Sequence, residues 1–277
     1  MHPVLIDLFG FKIYSYGAVL VLSFILSTGL ALQLGRKRGY SEDAVIELAM
    51  GAIVAGIIGC RIGYVFLERF SYYRAHPLMA FNLREGGMTI TGGVVLAVLY
   101  VIYRFRRHTQ KASVLNMLDW LGGPLLVGMA VGRFGCLLHG CCYGALTTLP
   151  WGITYPAGTF GVGVAAGPRQ PSVMYEAAMD GLLLLYVLWK LPRERYAGEV
   201  FYSIAAGYGV IRFLDEMTRY NAPSLFYGPF SAYQWIAIAF FALGVAGLLG
   251  CFGRPPVDHD FMPREGERKL ATPEDPL

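Results

Sequence analysis

Arg61, Arg133 and Arg212 each stand inside a stretch of sequence that is otherwise almost wholly apolar. An arginine near the middle of a membrane span costs roughly 2.5 to 3.5 kcal/mol even on the lenient insertion scale, so something must offset it. A carboxylate on a neighbouring helix does so, with Glu176 or Glu216 as partners in this chain, and the arginines then merely tie helices together. For the set of three that explanation is less attractive, because permanent cations meet few acids at their depth and unpaired positive charge is expected. Phosphate is the natural missing anion, since a guanidinium offers its oxygens a planar fork of donors. The chemistry expected is therefore recognition of an anionic lipid head group in a pocket that faces outward.

The elements that hold these groups follow from composition and periodicity. Apolar residues make up 55% of the 277, charged residues only 15%, and mean hydropathy is +0.48. A water-soluble chain carries about 25% charged residues, which excludes a soluble enzyme, a disordered chain and a disulfide-rich secreted domain. The net charge of +4 is scattered without a basic stripe, so no nucleic-acid partner is expected. Seven stretches of roughly 18 to 25 mostly apolar residues stand out, at 14–34, 44–67, 88–105, 114–138, 172–189, 198–216 and 231–251. They predict an all-α integral membrane protein of about seven transmembrane helices, with residues 1–253 as one polytopic domain and 254–277 as a polar, disordered tail. The first stretch lacks a basic leader and is followed by a basic loop, so it reads as a permanent helix.

Orientation comes from the lysines and arginines. The connections after the first, third and fifth stretches, with the tail, hold 14 of them, and the opposite side holds six: Lys12, Arg69, Arg74, Arg84, Arg169 and Arg219. By the positive-inside rule the amino terminus is outside and the carboxyl terminus cytoplasmic. Even-numbered helices then run outward, which puts Arg61, Arg133 and Arg212 in the outer half of the bilayer. Tyr16, Thr91 and Glu176, near the starts of inward-running helices, share that depth. Glu47 and Asp119 fall near the cytoplasmic ends of their helices, where contact with water is the expectation. Tyr72, Tyr73, Tyr227 and Tyr233 fit an interfacial aromatic belt. Gly51, Ala55, Gly59 and Gly63 form a small-residue seam that admits another helix, and Gly122, Gly123 and Pro124 predict a kink.

Six collinear motifs then carry a resemblance. They are Tyr14-Ser-Tyr-Gly17, Gly59-Cys-Arg-Ile-Gly-Tyr64, Glu85-Gly-Gly-Met-Thr-Ile-Thr-Gly-Gly93, Gly132-Arg-Phe-Gly135, Arg169-Gln-Pro-Ser-Val-Met-Tyr-Glu176 and Gly207-Tyr-Gly-Val-Ile-Arg-Phe-Leu-Asp-Glu-Met-Thr-Arg219. Together, over roughly residues 12 to 250, the chain resembles the bacterial prolipoprotein diacylglyceryl transferases. The resemblance implies a seven-helix inner-membrane enzyme that moves diacylglyceryl from phosphatidylglycerol to the lipobox cysteine of a secreted precursor, leaving glycerol phosphate. It implies that Arg133 and Arg212 are the arginines such an enzyme needs, with Tyr16, Arg61, Glu216 and Arg219 at further functional positions. No cofactor is implied. A thiolate that displaces phosphate from carbon needs positive charge where negative charge accumulates, and a thiol of pKa near 8.5 needs help to ionise.

This chain departs from that pattern twice. The third-helix motif in the family usually has a histidine, proposed as a base, where this chain has Thr91, and a threonine cannot accept a proton near neutral pH. After Gly132-Arg-Phe-Gly135, where the family usually has asparagines and an acid, stand Cys136, His139, Cys141 and Cys142. Disulfides among these and Cys60, or inert packing of small thiols, are both open; the spacing of Cys136, His139 and Cys141 matches no common zinc pattern, and no metal is assigned. His139 shares the inferred depth of Thr91 and is the candidate for a relocated base, its other reading being a solvated histidine at a helix end. A non-catalytic binder or transporter of anionic lipid, or transfer to a different acceptor, would use the same arginines.

Reporter fusions test the orientation directly: a reporter at Arg38 is expected to be active on the cytoplasmic side and one at Gly158 on the outer side. Both on one side would overturn the common depth of the site residues.

Overall fold

The structure, a computed structural model, describes residues 4–8, 11–81, 89–108, 114–155, 167–220 and 226–257. Each of the seven apolar stretches is a helix: α1 (Ser15–Lys37), α2 (Glu42–Gly63), α4 (Ile90–His108), α5 (Val114–His139), α6 (Ser172–Lys190), α7 (Glu199–Thr218) and α8 (Ala232–Leu249), with a short α3 (Phe70–Ala75) between α2 and α4. Among the described residues five segments, Ser15–Lys37, Glu42–Phe66, Val114–His139, Ser172–Arg193 and Ala232–Leu249, are long and apolar enough to cross a membrane. In α4 the apolar part is shorter, Gly92–Arg104. Helix α7 carries Glu199, Arg212, Asp215 and Glu216 and is not among the five.

The all-helical expectation needs a small correction. Strand β1 (Val4–Leu8) pairs antiparallel with β2 (Phe11–Tyr14), and β3 (Phe226–Tyr227) pairs with β4 (Phe230–Ser231). These hairpins satisfy backbone groups just ahead of α1 and α8, and they are too short to leave a trace in a hydropathy window. Of the segments named from sequence, the motif residues 85–88, the loop residues 156–166 and the tail from 258 onward lie outside the described residues.

The chain forms two compact units. One centres on Leu32–Val114; the other comprises Met1–Ala31 and Leu115–Val257. Within the first, α2 and α4 meet along the small-residue seam, as its spacing predicts. A Cβ added at Gly59 would come within 2.4 Å of the Gly92 carbonyl oxygen, and one at Gly63 within 2.9 Å of the Gly92 Cα. Gly51 is covered by the ring of Tyr100, and at the other end of the pair Arg104 binds Glu47. Ser41 caps α2 by accepting from Ala44 N–H at 3.3 Å, and Glu42 and Asp43 complement the positive end of the helix. Tyr73, expected in an aromatic belt, is instead buried against Tyr64 and Tyr72.

In the second unit α7 packs closely on α8, where a Cβ at Gly244 would meet Ala206 N at 2.3 Å. Helix α5 continues through Pro124. Asp119, expected to touch water, is fully buried: Gly198 N–H and Phe201 N–H donate to its two carboxylate oxygens at 2.6 Å each. The correction has a clear cause, since the first N–H groups of α7 have no partner in their own helix and a carboxylate offsets both their hydrogen-bonding need and the helix dipole. Helix α8 starts on a capping box, with Ser231 accepting from Gln234 N–H and Gln234 accepting from Ser231 N–H.

Gly92→Ala is expected to break the α2–α4 seam, because its Cβ would lie 2.3 Å from the Gly59 carbonyl oxygen. Backbone cannot rotate away as a side chain can, so a loss of about 1–3 kcal/mol is expected, read as a lowered thermal midpoint in detergent. Gly17→Ala, whose Cβ meets nothing within 4 Å, serves as the neutral control.

Candidate functional site

Helix α5 delivers Arg133 and then stops in a way the sequence specifies. Gly140 takes a left-handed φ of 83°, Gly140 N–H bonds the Leu137 carbonyl at 3.2 Å, and Cys141 N–H bonds the Cys136 carbonyl at 3.1 Å. That is a Schellman ending, in which the residue after the glycine is folded back over the last turn of its helix. Cys141 therefore returns to Cys136. Cys142 follows with φ 58°, the one positive value of a non-glycine among the described residues, and the three sulfurs lie within 4.8 Å of one another. Hydrogen bonding from the Cys136 and Cys141 thiols holds the Cys142 thiol below the ordinary thiol range against the opposing effect of burial, and the charges of Arg219 and Arg133 act in the same sense as the hydrogen bonds. His139, the last residue of α5, is exposed and its ring stands 6.0 Å from that of Tyr16, at the start of α1.

Below this turn lies an ion network built on Glu176, which is fully buried one turn into α6. Arg133 of α5 donates to one of its oxygens. Arg219, just past α7, donates Nη2 to the other at 2.7 Å, and Arg212 Nη1 approaches that oxygen to 3.9 Å. Arg219 Nε also reaches Asp215 at 2.6 Å, and Arg212 binds Asp215 at 3.3 Å and Glu216 at 2.8 Å. Ser231, the cap of α8, donates to the remaining Glu216 oxygen at 3.0 Å, while Tyr233 lays its ring 5.1 Å from the Arg212 guanidinium. The ends of α5 and α7 and the starts of α6 and α8 are thus tied to one charge cluster. Asp180, one turn further along α6, is also fully buried, with no hydrogen-bond partner for its oxygens among the described residues.

The connection after α5 holds Arg219 in place from outside. Arg169 is buried between the rings of Tyr143 and Tyr220, 4.9 and 5.2 Å away, and donates to the Gly144 carbonyl at 3.0 Å. Gly144 must be glycine for this approach, since a Cβ would sit 2.4 Å from the Gln170 carbonyl oxygen. Ala145 N–H then bonds the Thr218 carbonyl at 2.8 Å, lacing the loop to the end of α7. Burial pushes the Tyr155 phenol up, which keeps it neutral beside these groups.

Seven of the nine residues picked from sequence fall in this unit: Tyr16, Arg133, His139, Glu176, Arg212, Glu216 and Arg219. The expected surplus of unpaired positive charge is not what the structure has. Arg133, Arg212 and Arg219 face Glu176, Asp215 and Glu216, because leaving buried cations alone costs more than placing acids beside them. Asp215 and Asp180 were not singled out from sequence, although the signal was there: Arg212, Asp215, Glu216 and Arg219 recur at three- and four-residue spacing, and so do Glu176 and Asp180. Arg169, counted as a loop cation and as the first residue of a family motif, was given no role from sequence. In the other unit Arg61 donates Nε to the Ala80 carbonyl at 2.8 Å and Nη2 to the Met79 carbonyl at 3.0 Å, with Tyr73 and Tyr64 flanking it. Thr91 lies in the first turn of α4, and its side chain is outside what is described.

Comparison with known proteins shows the family. The family model described as prolipoprotein diacylglyceryl transferase matches residues 3–249. A phosphatidylglycerol–prolipoprotein diacylglyceryl transferase of Geobacter sulfurreducens is 35% identical over 88% of this chain and 93% of its own length. One of Bordetella parapertussis is 32% identical over 92% and 97%, and one of Methylibium petroleiphilum 34% identical over 88% and 94%. Matched along nearly its whole helical part, by a family model and by relatives sharing about a third of its residues, this multi-pass membrane protein belongs to the prolipoprotein diacylglyceryl transferase family.

Proposed function

We propose that this chain transfers diacylglyceryl from phosphatidylglycerol to the lipobox cysteine thiol of prolipoproteins, forming a thioether and releasing glycerol phosphate. The observation that carries this is the convergence of Arg133, Arg212 and Arg219 on the buried Glu176 carboxylate. It sits within a family whose relatives are named for that reaction. A phosphate that leaves as a dianion needs donors already fixed where its charge grows, and guanidinium groups clamped by carboxylates are fixed in that way. Arg133 is the one with most to offer. Its side chain is 20% exposed against 13% for Arg212 and Arg219, and it gives hydrogen bonds to a single carboxylate, leaving most of its five N–H donors for a head group.

In this proposal seven helices cross the bacterial inner membrane with the amino terminus outside, and residues 1–253 work as one catalytic domain, in line with the 14 to six distribution of basic residues and a family match over 3–249. Arg133 and Arg212 act on the phosphate, His139 receives the thiol proton, and Tyr16, Arg61, Thr91, Glu176, Glu216 and Arg219 shape the site for the lipid. A non-catalytic lipid binder on the same fold would keep the arginines but fail to restore lipoprotein lipidation.

Arg133→Ala is expected to lower transfer at least about 100-fold, measured with labelled phosphatidylglycerol and a lipobox peptide, while thermal stability holds because Arg219 still neutralises Glu176. Lysine should rescue it poorly, lacking the fork. Arg212→Ala is expected to lose both activity and stability, since it strands Glu216 as a buried charge, at a cost of about 3–5 kcal/mol. Wild-type transfer by Arg133→Ala, or failure of the intact chain to support cells depleted of their own transferase, would overturn the proposal.

His139→Ala is expected to cut turnover about tenfold at pH 7 and to recover toward pH 9, where a thiol of pKa near 8.5 ionises unaided. A pH profile identical to that of the unaltered chain would remove His139 from the reaction.

A further inference from the structure

Three sulfurs that meet within 4.8 Å are not needed to end a helix. Gly140 alone supplies the left-handed turn, and any small apolar side chain at 136 and 141 would make the contact that accompanies a Schellman ending. Cys142, moreover, holds a backbone conformation that a cysteine adopts only at some cost, and it closes the trio by doing so. A disulfide would use two of the three sulfurs and strand the third. Tetrahedral zinc binds thiolates at about 2.3 Å, which places bound sulfurs about 3.8 Å apart, and the trio closes to that spacing by movements of an ångström or less. No fourth histidine, cysteine or carboxylate joins the three among the described residues. Three protein ligands with an open fourth position are the pattern of a zinc ion that works on a substrate, as opposed to one that only holds a fold.

We propose that Cys136, Cys141 and Cys142 bind a zinc ion whose fourth position takes the acceptor thiol. The inference rests on the lipid-transfer reading for its substrate, and on the cysteine geometry for its site. Arg133 lies three residues before Cys136, on the same face of α5, so one phosphate-binding arginine and the first of the three sulfurs stand on adjacent turns of one helix. The acceptor thiol displaces water from the ion and loses its proton to solvent; coordination to zinc ionises a thiol that would be mostly protonated at neutral pH. The zinc-bound sulfur then attacks the glyceryl carbon. A carbon–sulfur bond forms, the carbon–oxygen bond to phosphate breaks, and the electron pair leaves on the phosphate oxygen toward Arg133 and Arg212. No oxidant or reductant takes part. Three thiolates leave the ion with a net negative charge, which makes the bound sulfur a strong nucleophile, and the nearby arginines offset that charge.

The test uses the full chain purified in detergent, with metal content by mass spectrometry and transfer to a lipobox peptide measured side by side. About one zinc per chain is expected, falling at least tenfold in Cys136→Ser, Cys141→Ser and Cys142→Ser, with transfer falling in parallel. Cobalt-loaded protein should show sulfur-to-cobalt charge-transfer absorption that changes when the lipobox peptide is added, and does not change with a peptide carrying serine for cysteine. Wild-type transfer by protein with less than about a tenth of a zinc per chain, stoichiometric copper in place of zinc, a Cys136–Cys142 or Cys141–Cys142 disulfide in the active protein, or full activity in the triple serine variant would each overturn the metal site. A cobalt spectrum that responds to the thiol peptide in a chain that transfers no diacylglyceryl would uphold the metal site and overturn the lipid-transfer reading instead.

Discussion

One buried carboxylate organises the unit that carries the site. Glu176 is sealed from solvent, and a lone ionised carboxylate in that position would be several kcal/mol too costly to keep. Guanidinium groups from the end of α5 and the end of α7 remove that cost, and in doing so they draw those ends to the start of α6. Each arginine brings a further dependency. Arg212 holds Glu216, which holds the cap of α8, and Arg219 is held in turn by a loop that closes around Arg169. Removing the carboxylate would therefore disturb the ends of α5 and α7 and the start of α6 at once, whereas removing Arg133 leaves the link between α6 and α7 in place.

The neutrality of this cluster changes how anion binding is understood. A surplus of bare cations would attract phosphate strongly but would have to be stabilised before any lipid arrives, and a folded chain in a membrane cannot leave such charges unsatisfied. Matched acids solve the folding problem and leave the arginines oriented, with donor edges not engaged by carboxylates. Anion recognition then depends on geometry and preorganised donors more than on net charge, which suits a reaction whose negative charge grows on a departing phosphate.

Helix α5 joins the two halves of the proposed chemistry. Its interior turn holds Arg133 against Glu176, and its last turn and the residues after it gather three sulfurs. The same helix opens at its other end with Asp119, which seats the first turn of α7 and so fixes where Arg212 and Arg219 emerge. Small shifts along α5 would be felt at both ends, because tightly packed helices do not deform continuously.

Much of this was legible in the sequence, for definable reasons. Seven apolar stretches and the small-residue seam depend on spacing and residue type, which are local, and the helices and the α2–α4 contact follow from them. The site residues were legible as a class, because an arginine in a span is expensive wherever it is put. Their partners were not. Glu176 lies 43 residues from both Arg133 and Arg219, and which carboxylate meets which arginine depends on how helices far apart in the chain are packed. Asp119 was misjudged for the same reason: its distance from the α7 amino terminus is 79 residues in sequence and one hydrogen bond in space. The cysteines show the division most clearly. Sequence alone left packing, disulfide and metal open, since spacing does not say where a sulfur points; the left-handed turns at Gly140 and Cys142, properties of the folded backbone, brought the three together.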